Sequence, residues 1–291
     1  MAVDEQRGET LLRRAEDFIQ RLEGLLSQRQ AGAVDWSTIA YRWRNNHGAG
    51  ALEPIRQPHR LALNDLLGID HQKRTLERNT LQFVRGLPCN NALLWGSRGT
   101  GKSSLVKALL NEYAEQGLRV VEVDGHDLFD LPAIVAPLVD REERFVLFTD
   151  DLSFAADDPS YRALKAMLDG SVAVAPPNVV IYATSNRRHL MPEFMQENLE
   201  ARNLGGEIHH GETVEEKISL SERFGVWLSF HPFNQDTYLE IVRHWLQRLD
   251  AQLAFDEVAR EEALRWALQR GSRSGRVARQ FAADWVGRHR L

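Results

Sequence analysis

The run Gly96-Ser97-Arg98-Gly99-Thr100-Gly101-Lys102-Ser103 fits the pattern G-x-x-x-x-G-K-[S/T] at every required position. Such a segment needs a strand before it and a helix after it. Its glycines let the backbone curl so that amide N–H groups face phosphate oxygens, and the start of the following helix adds a fixed partial positive charge. Both neighbours are present: Asn91-Ala92-Leu93-Leu94-Trp95 reads as the strand and Ser104-Leu105-Val106-Lys107-Ala108-Leu109-Leu110 as the helix. Residues 96 to 103, with Ser104 behind them, are therefore expected to cradle a phosphorylated nucleotide. Lys102 would reach the β- and γ-phosphates and Ser103 would hold Mg²⁺ through its hydroxyl. The plainer reading, a glycine-rich turn that happens to precede a lysine, leaves this strand-and-helix context unexplained.

Length and composition set wide bounds. A chain of 291 residues with 43% hydrophobic and 26% charged side chains can bury one large core or two modest ones. Its formal charge of -5 argues against a general nucleic-acid coat while leaving room for a local basic face. The single cysteine, Cys89, rules out an internal disulfide and a cysteine-based zinc cluster, and fits a reducing compartment. The opening Met-Ala-Val-Asp-Glu-Gln-Arg-Gly-Glu places acids where a signal peptide needs apolar residues, and no apolar run approaches ~18 residues, so a cytoplasmic protein without a membrane span is expected.

Along the chain, residues 9 to 30 carry Leu11, Leu12, Ala15, Phe18, Ile19, Leu22, Leu25 and Leu26 at helical spacing, which predicts one amphipathic helix. Residues 30 to 59 mix Trp36, Tyr41 and Trp43 with Arg42, Arg44 and later Gly and Pro; a short helix packed on the next domain followed by a linker is expected, against an aromatic and arginine patch that stacks on bases. A helix over 71 to 85 then leads to the phosphate loop. Past the loop's own helix come a second strand at 119–124, a helix at 130–140, a third strand at 145–149 and a fourth at 178–184. Strands alternating with helices predict a parallel sheet covered on both faces.

The third strand ends in Asp150-Asp151. A carboxylate there is placed to hold a nucleotide-bound Mg²⁺, which points to Asp150, while Asp151 is placed to orient or deprotonate an attacking water. The fourth strand runs into Asn186, a candidate to hold that water against the γ-phosphate or simply to cap a helix. Residues 191 to 217 are acidic, broken by glycine and poor in apolar residues, which predicts a long mobile loop; His209 and His210 within it read as surface imidazoles. After Leu220-Ser221-Glu222-Arg223-Phe224-Gly225 comes a fifth strand at 226–230, and then helical patterns at 235–250, 256–270 and 274–288, the last opening on an arginine-dense stretch from Gly271 to Arg279.

The order of phosphate loop, Asp-Asp strand, Asn-ended strand, Ser-Glu-Arg-Phe-Gly box and helical lid resembles the AAA+ ATPases over about residues 62 to 291. The resemblance implies a P-loop α/β/α fold with a five-stranded parallel sheet (62–231), a helical lid (232–291) and a short helical N-terminal extension (1–61). It matches Lys102 and Ser103 to Walker A, Asp150 and Asp151 to Walker B, Asn186 to sensor 1, Arg223 to the arginine finger and Arg276 to sensor 2. The segments around residues 93–104, 149–154 and 182–190 are similar to a bacterial family of predicted AAA+ ATPases of unknown function, in which Asp-Asp is the usual Walker B ending. ATP, Mg²⁺, a homo-oligomer and a protein or nucleic-acid client follow as expectations. A slow nucleotide-gated loader delivering a DNA or protein partner is the alternative. Less favoured are a monomeric kinase, with Arg187 and Arg188 as phosphate clamps, and a GTPase, for which no N-K-x-D motif is present.

Overall fold

The computed structural model describes residues 34–46, 49–154, 158–169, 176–186, 190 and 220–291. The amphipathic stretch 9–30, Arg187, Arg188, His209, His210 and the acidic stretch 191–217 lie outside the described residues.

Strands β1 (Ala40–Asn46), β2 (Ala49–Pro54), β3 (Ala92–Gly96), β4 (Leu118–Glu122), β5 (Arg144–Thr149), β6 (Val179–Ser185) and β7 (Val226–Phe230) form one sheet. Their spatial order is β2-β1-β4-β5-β6-β3-β7. The five strands from β3 to β7 pair in parallel, as the alternation of strands and helices requires. Successive side chains on each strand enter opposite layers. Leu94, Val146, Tyr182 and Phe230 join one buried cluster. Leu93, Leu147, Ile181 and Ala183 join the other. Near-continuous apolar runs such as Phe145-Val146-Leu147-Phe148 are what a sheet covered on both faces demands.

The N-terminal region departs from expectation. Residues 40 to 54, expected to be a short helix and linker, instead form an antiparallel hairpin whose first strand pairs in parallel with β4, raising the sheet from five strands to seven. The reason is the period of two in Tyr41-Arg42-Trp43-Arg44: Tyr41 and Trp43 are buried, while Arg42 faces Glu122 at 2.6 Å. Trp43 donates its indole N–H to Asp130 Oδ2 at 3.1 Å, and Trp36 packs on Tyr41 and Phe145 beneath the Arg141 guanidinium. Rings committed in this way cannot serve as a base-stacking platform. Burying side chains of this size stabilises by about 1.5–3 kcal/mol each.

Helices α1 (Asp70–Val84), α2 (Lys102–Tyr113), α3 (Leu131–Val135) and α4 (Pro159–Leu168) cover the sheet. The expected helix over 130–140 is broken into α3 with a 3₁₀ turn on either side, because Pro132 fits only a first turn and Pro137 cannot continue an α-helical ladder. The sequence reading did not anticipate α4. It opens on an Asp158 cap that accepts from Ser160 N at 2.9 Å, with Pro159 at its first position.

Three C-terminal helices, together labelled the lid, pack beside the sheet: α5 (Gln235–Leu249), α6 (Glu257–Gln269) and α7 (Gly275–Arg290). Asn234, Asp256 and Ser274 cap their N-termini through side-chain oxygens. Small buried residues, Ala259, Ala263 and Ala267 on α6 and Ala278 and Ala282 on α7, let the helices approach around Tyr238, Leu246 and Phe281.

Candidate functional site

The phosphate loop is bent by backbone that only glycine accommodates. At Gly96 φ is 124° and a Cβ would meet the Phe230 carbonyl oxygen at 2.1 Å, so the loop is pressed against the end of β7. At Gly99 φ is 75° and a Cβ would meet Ser274 Oγ at 2.9 Å and Arg276 Cβ at 3.2 Å. The lid therefore touches the loop directly, and Arg276 N donates to Gly99 O at 3.2 Å.

A cavity of about 820 Å³ opens between the loop, the sheet and the lid. Of the residues that the sequence singled out, the structure gathers Arg98, Gly99, Thr100, Gly101, Lys102, Ser103, Ser104, Asp150, Asp151, Asn186 and Arg276 on its walls. Gly96 and Ser97 stand one step behind, their carbonyls accepting from Lys102 Nζ at 2.7 and 2.8 Å. A third acceptor, Asn186 Oδ1, lies 3.2 Å from the same ammonium. Burial holds this ammonium below its ordinary value, opposed by Asp150 and Asp151 and reinforced by Arg276 and Arg98. An incoming polyanion would favour the charged form.

The acidic strand end is tightly specified. Ser103 Oγ donates to Asp150 Oδ1 at 2.5 Å, and Thr184 Oγ1 donates to the same oxygen at 2.6 Å. Asp151 is the one non-glycine residue in the left-handed region among the described residues, at φ 54°, a conformation aspartate tolerates better than most. Its N–H donates to Thr184 Oγ1 at 2.9 Å and its carboxylate accepts from Asn186 Nδ2, with Arg98 3.7 Å from the other oxygen. Hydroxyl and carboxylate oxygens are the donor set of a hard divalent cation, so Ser103 and Asp150 fit Mg²⁺.

Arg223 stands apart. It is not among the residues lining the cavity, and its Nε pairs with Asp169 at the end of α4.

Several lining residues were missed in the sequence. Thr184, 1% exposed, reads as one more residue of a β-branched strand. Asp65 contributes a buried carboxylate that accepts from Ala62 N at 3.0 Å and meets His244 at 3.1 Å and Arg248 at 3.2 Å on α5, which ties the chain ahead of α1 to the lid. Arg279, one turn beyond Arg276, lies over the Trp245 ring at 4.7 Å and near His59 Nε2 at 3.4 Å. Leu61, Leu66, Ile69, Phe233 and Trp245 make the remaining wall apolar. The i, i+3 spacing of Arg276 and Arg279 was the available signal; the approach of residues 61 to 69 to the lid had none.

A family model described as "Protein of unknown function (DUF815)" matches residues 37–289. Among solved structures, the chain is similar to the Thermotoga maritima RuvB Holliday junction branch migration motor at 18% identity, covering 76% of this chain and 63% of that one with a TM-score of 0.53. It is also similar to the Aeropyrum pernix Orc1 protein in complex with DNA at 15% identity, covering 78% and 62% with a TM-score of 0.49. The chain thus spans less than two thirds of the length of either structure. No curated protein matches. The likeness to RuvB shows the fold, that of the AAA+ P-loop ATPases.

Proposed function

This chain belongs to the family described as "Protein of unknown function (DUF815)", and we propose that it is an ATPase that binds ATP with Mg²⁺ between sheet and lid and hydrolyses it at a seam between two copies. The observation that carries this reading is convergence. Lys102, Ser103, Asp150, Asp151, Asn186 and Arg276, scattered over 175 positions of sequence, line one cavity, each where its chemistry is wanted.

In this reading the loop amides and Lys102 hold the β- and γ-phosphates, exchanging the carbonyls of Gly96 and Ser97 for phosphate oxygens. Ser103 and Asp150 would hold Mg²⁺, which when bound would supply positive charge against the transferred group. Asp151 takes a proton from the attacking water that Asn186 helps to place, a role worth about 10²–10⁴ in rate. The apolar wall from Leu61 to Trp245 receives the base. Residues 62–231 and 232–291 act as two bodies whose angle follows the nucleotide, through Arg276 on one and Gly99 on the other. Arg223 leaves Asp169 for the γ-phosphate of a neighbouring copy, so full turnover requires a homo-oligomer. The product of this cycle is a change of shape, passed to a partner protein or nucleic acid in the cytoplasm.

Fluorescent ATP-analogue binding and phosphate release test the proposal together. Native protein should bind in the low micromolar range or tighter and release phosphate only with Mg²⁺, and Lys102→Ala should abolish both. Binding that survives Lys102→Ala unchanged would remove the cavity from consideration.

A further inference from the structure

Two acids at the end of β5 have different duties in the proposed cycle, and their relative placement is not set by β5 alone. Asp150 is the first residue past the regular strand, and Asp151 turns into the left-handed region. A chain making that turn needs an external fix. It comes from one side chain of the neighbouring strand β6. The Thr184 hydroxyl spends its proton on Asp150 Oδ1 at 2.6 Å and offers its oxygen to the Asp151 N–H at 2.9 Å. Its own carbonyl accepts from Leu152 N at 2.7 Å, so three consecutive residues are tied to a single position.

The consequence falls on Asp150. Ser103 and Thr184 both donate to Oδ1. Oδ2 has no hydrogen-bond donor among the described residues. A hydroxyl saturated in this way and buried at 1% exposure cannot rotate to other partners, so it pins Oδ1 and leaves Oδ2 as the carboxylate oxygen of this cavity-lining residue that is open to a further ligand. We infer that Thr184 is a positioning residue that orients Asp150 toward the metal and fixes Asp151 beside it, setting the affinity of the site for Mg²⁺ on nucleotide. The inference rests on the ATPase reading above. Partners that orient a metal ligand are worth about 10–100-fold in metal affinity or activity when removed.

Thr184→Val keeps the shape and loses the hydroxyl, Thr184→Ala loses both, and Thr184→Ser keeps the hydroxyl alone. The probe is a fluorescent ADP analogue titrated with Mg²⁺, with metal-free binding measured alongside and folding checked by thermal melting. The Mg²⁺ midpoint should rise about 10-fold or more in Thr184→Val and Thr184→Ala and stay within about threefold of native in Thr184→Ser, while metal-free affinity is unchanged in all three. Should Thr184→Val not fold, the contrast between Ala and Ser decides. Equal midpoints in Ser and Ala, or an unchanged midpoint in folded Val, overturn the role of Thr184 while leaving the ATPase reading intact. Native protein that fails to bind the analogue at any Mg²⁺ concentration overturns both.

Discussion

Arg223 Nε is paired with the Asp169 carboxylate, which joins the segment ahead of β7 to the end of α4 across 54 residues of sequence. The pair holds the guanidinium of a proposed trans-acting residue against its own chain. Reaching a neighbour's phosphate means exchanging one anion for another, a swap that costs little where both sites are part-exposed. Arg223→Ala should lower turnover by about 10³-fold or more at high protein concentration, with nucleotide affinity preserved. Steady-state phosphate release against protein concentration reads this out; a variant with native turnover across the whole range would exclude a finger at this position.

Asp151 divides binding from chemistry. Asp151→Asn keeps the shape and the Asn186 contact while removing the base, so it should retain nucleotide and lose about 10²–10⁴ in kcat. Equilibrium binding and single-turnover phosphate release measure the two separately.

The lid arginine is predicted to act on closure. Arg276 lines the cavity from the first turn of α7 while its N–H rests on Gly99 O. Arg276→Ala should weaken triphosphate binding more than diphosphate binding, because only the former extends to the lid. Competition titrations with ATP and ADP give the ratio, which should fall by about tenfold, or ~1.4 kcal/mol.

Beneath the loop, Tyr182 OH bridges Asn79 Nδ2 at 3.0 Å and Thr80 Oγ1 at 2.9 Å, tying β6 to α1. Tyr182→Phe leaves buried polar groups short of a partner and should cost about 1–3 kcal/mol in denaturant unfolding. Burial pushes the Tyr182 phenol up to about 12 from 10.0. The folded state therefore keeps a proton that the unfolded state releases first, so this contribution is complete below pH 10 and is lost as pH rises toward 12. Alkaline unfolding followed in native and Tyr182→Phe protein should show a steeper loss in the former, since burial raises Tyr238 in both.

The parallel sheet and the phosphate loop were legible because both are written in consecutive residues: apolar runs bounded by turns, and glycines at fixed spacing. Asp150, Asp151 and Asn186 were legible as strand ends once the loop was placed. Thr184 was not, since a buried threonine in a strand looks like any other β-former until its neighbour's backbone is known. Asp65 escaped for a similar reason: its partners His244 and Arg248 are supplied by a helix remote in sequence. The hairpin was misread as a short packed helix and a linker, although the alternation of Tyr41, Arg42, Trp43 and Arg44 was the structural message.

That hairpin has a bearing on synthesis and on cutting the chain. Arg42 meets Glu122 80 residues later, so β1 and β2, once synthesised, must wait for β4 before they can dock. A fragment beginning at residue 62, after the glycines and prolines of residues 48 to 58, would keep every phosphate and metal ligand named above and lose only Leu61 from the apolar wall. It would also strip β4 of its outer neighbour and leave a raw strand edge open to whatever chain came next.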